Sequence, residues 1–210
     1  MKCILAIVLA GVILILGAFL FVWSGFYNIA ATRPHYALTF SMIGMLRERS
    51  IEVHSDEIKV PDLKNAALKE KAVIHYHEMC RLCHGAPGYP PEEFSEGLYP
   101  SPPVMASGKI QSELSDSEIF WVLKNGLKMT GMPAFGPTHN DEILWGLVAL
   151  SRDIPGITPS QYNHMVENAE MKGEGDEHHM HMHEGQEDDQ HNSNDMPGGS
   201  GTPVDEDAEP

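Results

Sequence analysis

Cys80-Arg81-Leu82-Cys83-His84 is the stretch on which the reading of this chain turns. Two cysteines three positions apart, followed directly by histidine, have the spacing that attaches a haem through two thioether bonds while the histidine bonds the iron. Other chemistries share the Cys-x-x-Cys half. A zinc site needs two further ligands at suitable spacing, and the remaining cysteine, Cys3, lies in an apolar N-terminal run. A thioredoxin-type redox pair needs a βαβ context, and no convincing strand pattern is present. The trailing His84 and a methionine-bearing loop downstream favour covalently attached haem c. A second Cys-x-x-Cys-His is absent, so one haem is expected.

Working outward, Asn65 to Met79 has a helical pattern, with Leu68, Ala72 and Tyr76 on one face, and runs directly into the motif. Gly85 to Pro103 is rich in Gly and Pro and reads as loop. Ser115-Asp116-Ser117-Glu118 has the capping-box pattern and opens a helix that ends at Asn125-Gly126. After the loop Lys128 to Thr138, Asn140 caps a last core helix from about Asp141 to Arg152, with Ile143, Leu144, Leu147 and Leu150 inward. Pro155-Gly156 ends it, and a short helix continues the chain to about Glu170.

This arrangement resembles a class I c-type cytochrome over about Lys64 to Asp153. The resemblance implies a mostly α, class I cytochrome c-like helical domain around one covalently attached haem. It also implies that the helix before the motif crosses the last core helix. There Ala72 stands where glycine is usual, Tyr76 fits an expected aromatic, and Trp145 fits its partner. The alanine suggests a slightly wider crossing. The family's sixth iron ligand is a methionine in the loop before the last helix. Lys128-Met129-Thr130-Gly131-Met132-Pro133-Ala134-Phe135 looks like that loop, and Gly131 and Pro133 suit an irregular backbone around Met132. Met129 is the competitor, whereas Met105 and Met79 read as packing residues. His84 is expected to bond iron through Nε2 and to donate its other ring N–H to a carbonyl, with Pro100-Ser101-Pro102-Pro103 as the candidate source.

The flanks set the setting. From Cys3 to Trp23 no residue is charged, and at about 1.5 Å per residue such a helix spans about 31 Å, the thickness of a bilayer core. It is longer than a signal-peptide core, and no strong cleavage site comes after it, so residues 1–25 read as an uncleaved transmembrane anchor. Residues 26–63 read as a membrane-proximal helix, with Pro34 at its first position and Arg47-Glu48-Arg49 at its close, and then an extended linker through Val60-Pro61. Residues 64–157 form the haem domain and 158–171 a short C-terminal helix. Tyr27-Asn28-Ile29-Ala30-Ala31-Thr32 and Met45-Leu46-Arg47-Glu48-Arg49-Ser50 are similar to segments of membrane-anchored monohaem cytochromes of proteobacteria. Because haem c is attached outside the cytoplasm, the N-terminus is expected inside the bacterial cytoplasmic membrane and the haem domain in the periplasm.

The net charge of −16 over 210 residues argues against a nucleic-acid partner. Most of that charge belongs to residues 172–210, a Gly-, Asp-, Glu- and His-rich tail expected to be disordered. Within it His178, His179, Met180, His181, Met182 and His183 alternate imidazole and thioether, donors that suit copper in either oxidation state. A solvated tail without specific ligation is the equally plain alternative. His75 and His77 fall off the helix's core face and read as surface residues, and His139 as a loop residue. Lys109, Lys124 and Lys128 could ring an exposed haem edge.

The expected function is one-electron transfer by an extracytoplasmic carrier with His84 and Met132 as axial ligands, not an enzyme, serving membrane-bound or periplasmic redox proteins. It could be a subunit of a respiratory or metal-oxidising complex. Copper homeostasis through the tail, with haem in an accessory role, is the alternative. A gas-binding haem with an open sixth position comes last.

Overall fold

The computed structural model describes residues 1–183, with side chains given through residue 172. The described residues are almost entirely helical. The single β-type feature among them is an isolated bridge between Ala86 and Tyr89. Helix α1 (Lys2–Trp23) is long and apolar enough to cross a membrane, and its side chains are exposed along its length.

Helix α2 (Ala37–Ser55) corrects the expected boundaries at both ends. Pro34 lies ahead of the helix, which starts after the extended Tyr36. Arg47-Glu48-Arg49 does not stop it, since these residues are good helix formers. Continuing to Ser55 buries Ile51 and Ser55 on a face packed against the later helix α6 (Asp116–Asn125). The extended linker therefore begins after residue 55.

Helix α3 (Ala66–His75) is capped by the Asn65 side chain, which accepts from the Ala67 N–H. It continues through a π-helical turn, Tyr76–Cys80, into α4 (Arg81–His84). A π turn adds a residue to the helical repeat and re-aims the next turn of the chain, and such turns concentrate at functional sites. After a loop containing two 3₁₀ turns come the short α5 (Lys109–Glu113), then α6, α7 (Asp141–Asp153) and α8 (Pro159–His183). The capping box at Ser115 and the Asn140 cap form as expected. The last helix runs beyond Glu170, with no proline to stop it, and residues 184–210 lie outside the described residues.

The core is the crossing of α3 and α7, joined by α6 and by Tyr162 and Val166 of α8. Leu144, Leu147, Val148 and Leu150 of α7 are buried almost completely. Each contributes about 1.5–3 kcal/mol by leaving water. The expected wider crossing is not found, because the glycine sits on the other helix. A Cβ at Gly146 would lie 2.2 Å from the Leu68 carbonyl oxygen and 2.9 Å from Ala72 Cβ. Neither Leu68's backbone nor Ala72 can turn aside as a long side chain would. The aromatic pairing also differs from expectation. Trp145 stacks on Phe120, with centroids 4.0 Å apart, while Tyr76 meets Tyr162 edge-on at 6.4 Å.

Gly146→Ala should therefore destabilise the domain by about 1–3 kcal/mol, whereas Gly97→Ala, where a Cβ meets nothing within 4 Å, should be close to neutral. Thermal unfolding of the two variants beside the parent protein checks this, and equal midpoints for both would contradict the tight crossing.

Candidate haem-attachment and iron-ligand site

The π turn and α4 place Cys80, Cys83 and His84 within little more than one helical turn. Cys80 is buried, and burial, with the neighbouring Cys83, pushes its thiol up to about 12. Burial also raises Cys83 above its ordinary value. Both sulfurs thus hold their protons at neutral pH, the S–H form that adds across a vinyl C=C. The arrangement is poorer for a thiolate redox pair, whose attacking cysteine needs a depressed value.

His84 Nδ1 lies 2.8 Å from the Pro103 carbonyl oxygen. A carbonyl only accepts, so Nδ1 carries the proton and the lone pair of the neutral ring is left on Nε2. Burial lowers the His84 pKa, with the Pro103 bond acting in the opposite direction, so the ring is held neutral. The carbonyl source expected in Pro100–Pro103 is thus the last of those residues. The donor set of two thiols and one neutral, pre-oriented imidazole fits covalently bound haem c, whose iron supplies a one-electron Fe(III)/Fe(II) couple.

The turn after His84 is fixed by a dense set of bonds. The Tyr76 hydroxyl donates to the Gly85 carbonyl at 2.7 Å, and Ala86 and Tyr89 exchange backbone bonds of 2.8 Å each. Glu92 N–H donates to the Leu82 carbonyl at 2.8 Å, and Arg81 reaches the Glu92 carboxylate at 2.9 Å while lying 5.3 Å over the Tyr89 ring.

The methionine loop is pinned to the end of α6. Phe135 N–H donates to the Leu123 carbonyl and Gly136 N–H to that of Lys124, at 3.0 and 2.9 Å, so the loop satisfies carbonyls the helix end leaves open. Gly126, at φ +66°, permits this return. A Cβ there would lie 2.7 Å from the Pro133 carbonyl carbon and the Ala134 nitrogen. Met132 is held from both sides, since its N–H donates to Thr130 Oγ1 at 3.1 Å and its carbonyl accepts from Leu127 N–H at 3.2 Å. Its side chain is half-buried against the core, whereas Met129, at φ +59°, is 70 % exposed. Met105 also packs against the core, in keeping with a packing role.

Residues 67–150 match the family model described as cytochrome C oxidase, cbb3-type, subunit III. This part of the chain is a c-type cytochrome domain. Neither the curated proteins nor the solved structures searched contain a match to the chain. Helices α2 and α8 lie outside the matched span, yet both pack on the cytochrome domain, α2 against α6 and α8 through Tyr162 and Val166 in the core.

Other residues singled out in the sequence take definite places. Lys124 pairs with Asp141 at 2.7 Å and Lys109 lies 3.9 Å from Glu113, while Lys128 is exposed. The side chains of His178, His179, Met180, His181, Met182 and His183 lie outside the described residues. Among the described residues no group of three or more His, Cys, Asp or Glu forms a metal site. The surface reading of His75 and His77 is corrected, because both are half-buried. His77 packs on Tyr89 and Tyr162. His75 meets the His139 ring edge-on, with centroids 5.0 Å apart. Periodicity misses this because the neighbours are distant in sequence, His139 in the loop before α7 for His75, and Tyr89 after α4 and Tyr162 of α8 for His77.

Burial, then His139, lowers the His75 pKa below 6.5, against a smaller raising effect of Glu78. The unfolded chain therefore takes up this proton first. The contribution of neutral His75 to stability is complete above its unfolded value and is lost as pH falls through the lower folded value. Denaturant unfolding of the cytochrome should show stability falling as pH drops from 7 toward 5, with a shallower fall in His75→Asn. An unchanged slope in that variant would contradict the assignment.

Proposed function

We propose that this protein is a membrane-tethered, extracytoplasmic electron carrier whose single haem c iron is ligated by His84 and Met132. The observation that carries the proposal is the pairing of a pre-oriented His84 with a pinned, half-buried Met132 inside a cytochrome c domain. Imidazole leaves the iron one open axial position, and a thioether in it raises the reduction potential and keeps small molecules off the metal. That favours outer-sphere transfer of one electron over substrate chemistry. Thr130 and Leu127 hold the Met132 backbone, limiting the loop movement that would accompany a change of oxidation state.

The tether is supported by α1, with its uncharged run and exposed apolar surface, and the outward orientation by the location of haem c attachment. Anchoring confines the carrier to the membrane surface, where its partners would be membrane-bound or periplasmic redox proteins, with membership of a respiratory complex consistent with the matched family description.

The ferric full-length protein should show the weak far-red absorption band of methionine–iron ligation. Met132→Ala should abolish it, and Met129→Ala should retain it. Thr130→Ala should weaken it or make it more labile to heat, since a hydrogen bond worth about 1 kcal/mol no longer holds the loop. Persistence of the band in Met132→Ala would overturn the ligand assignment.

A further inference from the structure

A cavity of about 510 Å³ lies between α2, the Tyr99-Pro100 segment and the end of α6 with the loop after it. Its walls are largely apolar, from residues such as Phe40, Ile43 and Leu127. Its polar lining includes His35, Arg47, His54, Tyr99, Trp121 and Lys128, with no Asp or Glu among the lining residues. In a chain of net charge −16, a chamber free of carboxylates and edged by cations and N–H or O–H donors is suited to an anion on an apolar body. The Tyr99 hydroxyl accepts from His35 N–H at 3.1 Å, which leaves its own proton to give elsewhere. Arg47 is partly exposed, and its Glu48 contact, at 3.5 Å, comes from outside the chamber lining.

The position of the chamber identifies the anion. One wall, Tyr99-Pro100, leads into Pro103, which orients His84. The other, Leu127 to Thr130, holds the backbone of Met132. A flat macrocycle held between those axial ligands would therefore have an edge in this chamber. Cys80 and Cys83 are absent from the lining, so that edge is the one away from the thioether bonds. On haem, the two carboxylates lie opposite the vinyl-derived edge. We propose that the chamber receives the haem carboxylates and that Arg47 of α2 is a positioning and potential-tuning residue for them, assisted by Tyr99 and Trp121. The proposal rests on the haem assignment above. It gives α2, which lies outside the matched span, a direct part in the redox site.

The test is an optical redox titration of the full-length holoprotein in detergent, comparing wild type with Arg47→Gln, Arg47→Lys and Lys59→Gln. Haemochrome content and the far-red band are recorded for each. Removing a cation beside the carboxylates stabilises ferric iron, so Arg47→Gln should lower the potential. The expected size is roughly a tenfold change in the ferric-to-ferrous ratio at fixed potential. Arg47→Lys should recover much of it, and the exposed Lys59→Gln should leave it in place. An unchanged potential in Arg47→Gln, or an equal shift in Lys59→Gln, would overturn the proposal. So would stoichiometric phospholipid that accompanies wild type and is lost from Arg47→Gln without a change in potential. Absence of covalent haem from wild type would instead defeat the underlying functional reading, and the proposal with it.

Discussion

Gly146 lets the backbone of α7 approach the Leu68 carbonyl and Ala72 so closely that no side chain fits between. The rest of the redox site depends on that approach. It fixes the angle at which α3 enters the π turn, and the π turn sets the direction of Cys80, Cys83 and His84. The Tyr76 hydroxyl then ties the turn after His84 back to the same helix. On the other side, α7 packs against α6, whose last carbonyls carry the methionine loop. Both candidate axial ligands are thus referred to one helix crossing, through short chains of hydrogen bonds on each side.

The haem-attachment motif, the helix starts at Asn65, Ser115 and Asn140, and the Gly126 stop are legible in the sequence because each is a local rule. A cap, a left-handed glycine or a Cys-x-x-Cys-His spacing involves residues a few positions apart. The loop around Met132 is legible for the same reason. The features that escape are set by partners distant in sequence. The length of α2 depends on Ile51 finding α6, and the burial of Tyr162 depends on Tyr76 and His77. The width of the crossing cannot be read from Ala72 alone, because two helices share it. A lone glycine between Trp145 and Leu147 in a strongly helical stretch costs about 1 kcal/mol of helix stability, and that cost is the sequence's sign of a close contact.

The physical character of the site suits electron transfer. A carrier works best when its iron ligands move little between oxidation states, and here both candidate ligands are held by short hydrogen bonds within constrained segments. His84 is oriented by a proline carbonyl, and Met132 sits between a threonine hydroxyl and a backbone N–H. Of the helices outside the family-matched span, α2 and α8 contribute differently. Helix α8 fills the core beside the helix that leads into the Cys80–His84 motif through Tyr162 and Val166, whereas α2 bounds the chamber beside the Met132 loop. Additions to a small domain of this kind enlarge its buried core and can alter the charge seen by the cofactor without changing the ligand set.

The central claim is that one covalent haem, closed on both axial sides, cycles by a single electron. Pyridine haemochrome analysis combined with an optical redox titration of the purified full-length protein tests it most directly. The account predicts one haem c per chain, a single one-electron transition, and a far-red band in the ferric form that disappears on reduction. A haem released by mild acid extraction, or rapid carbon monoxide binding to the reduced native protein, would contradict it.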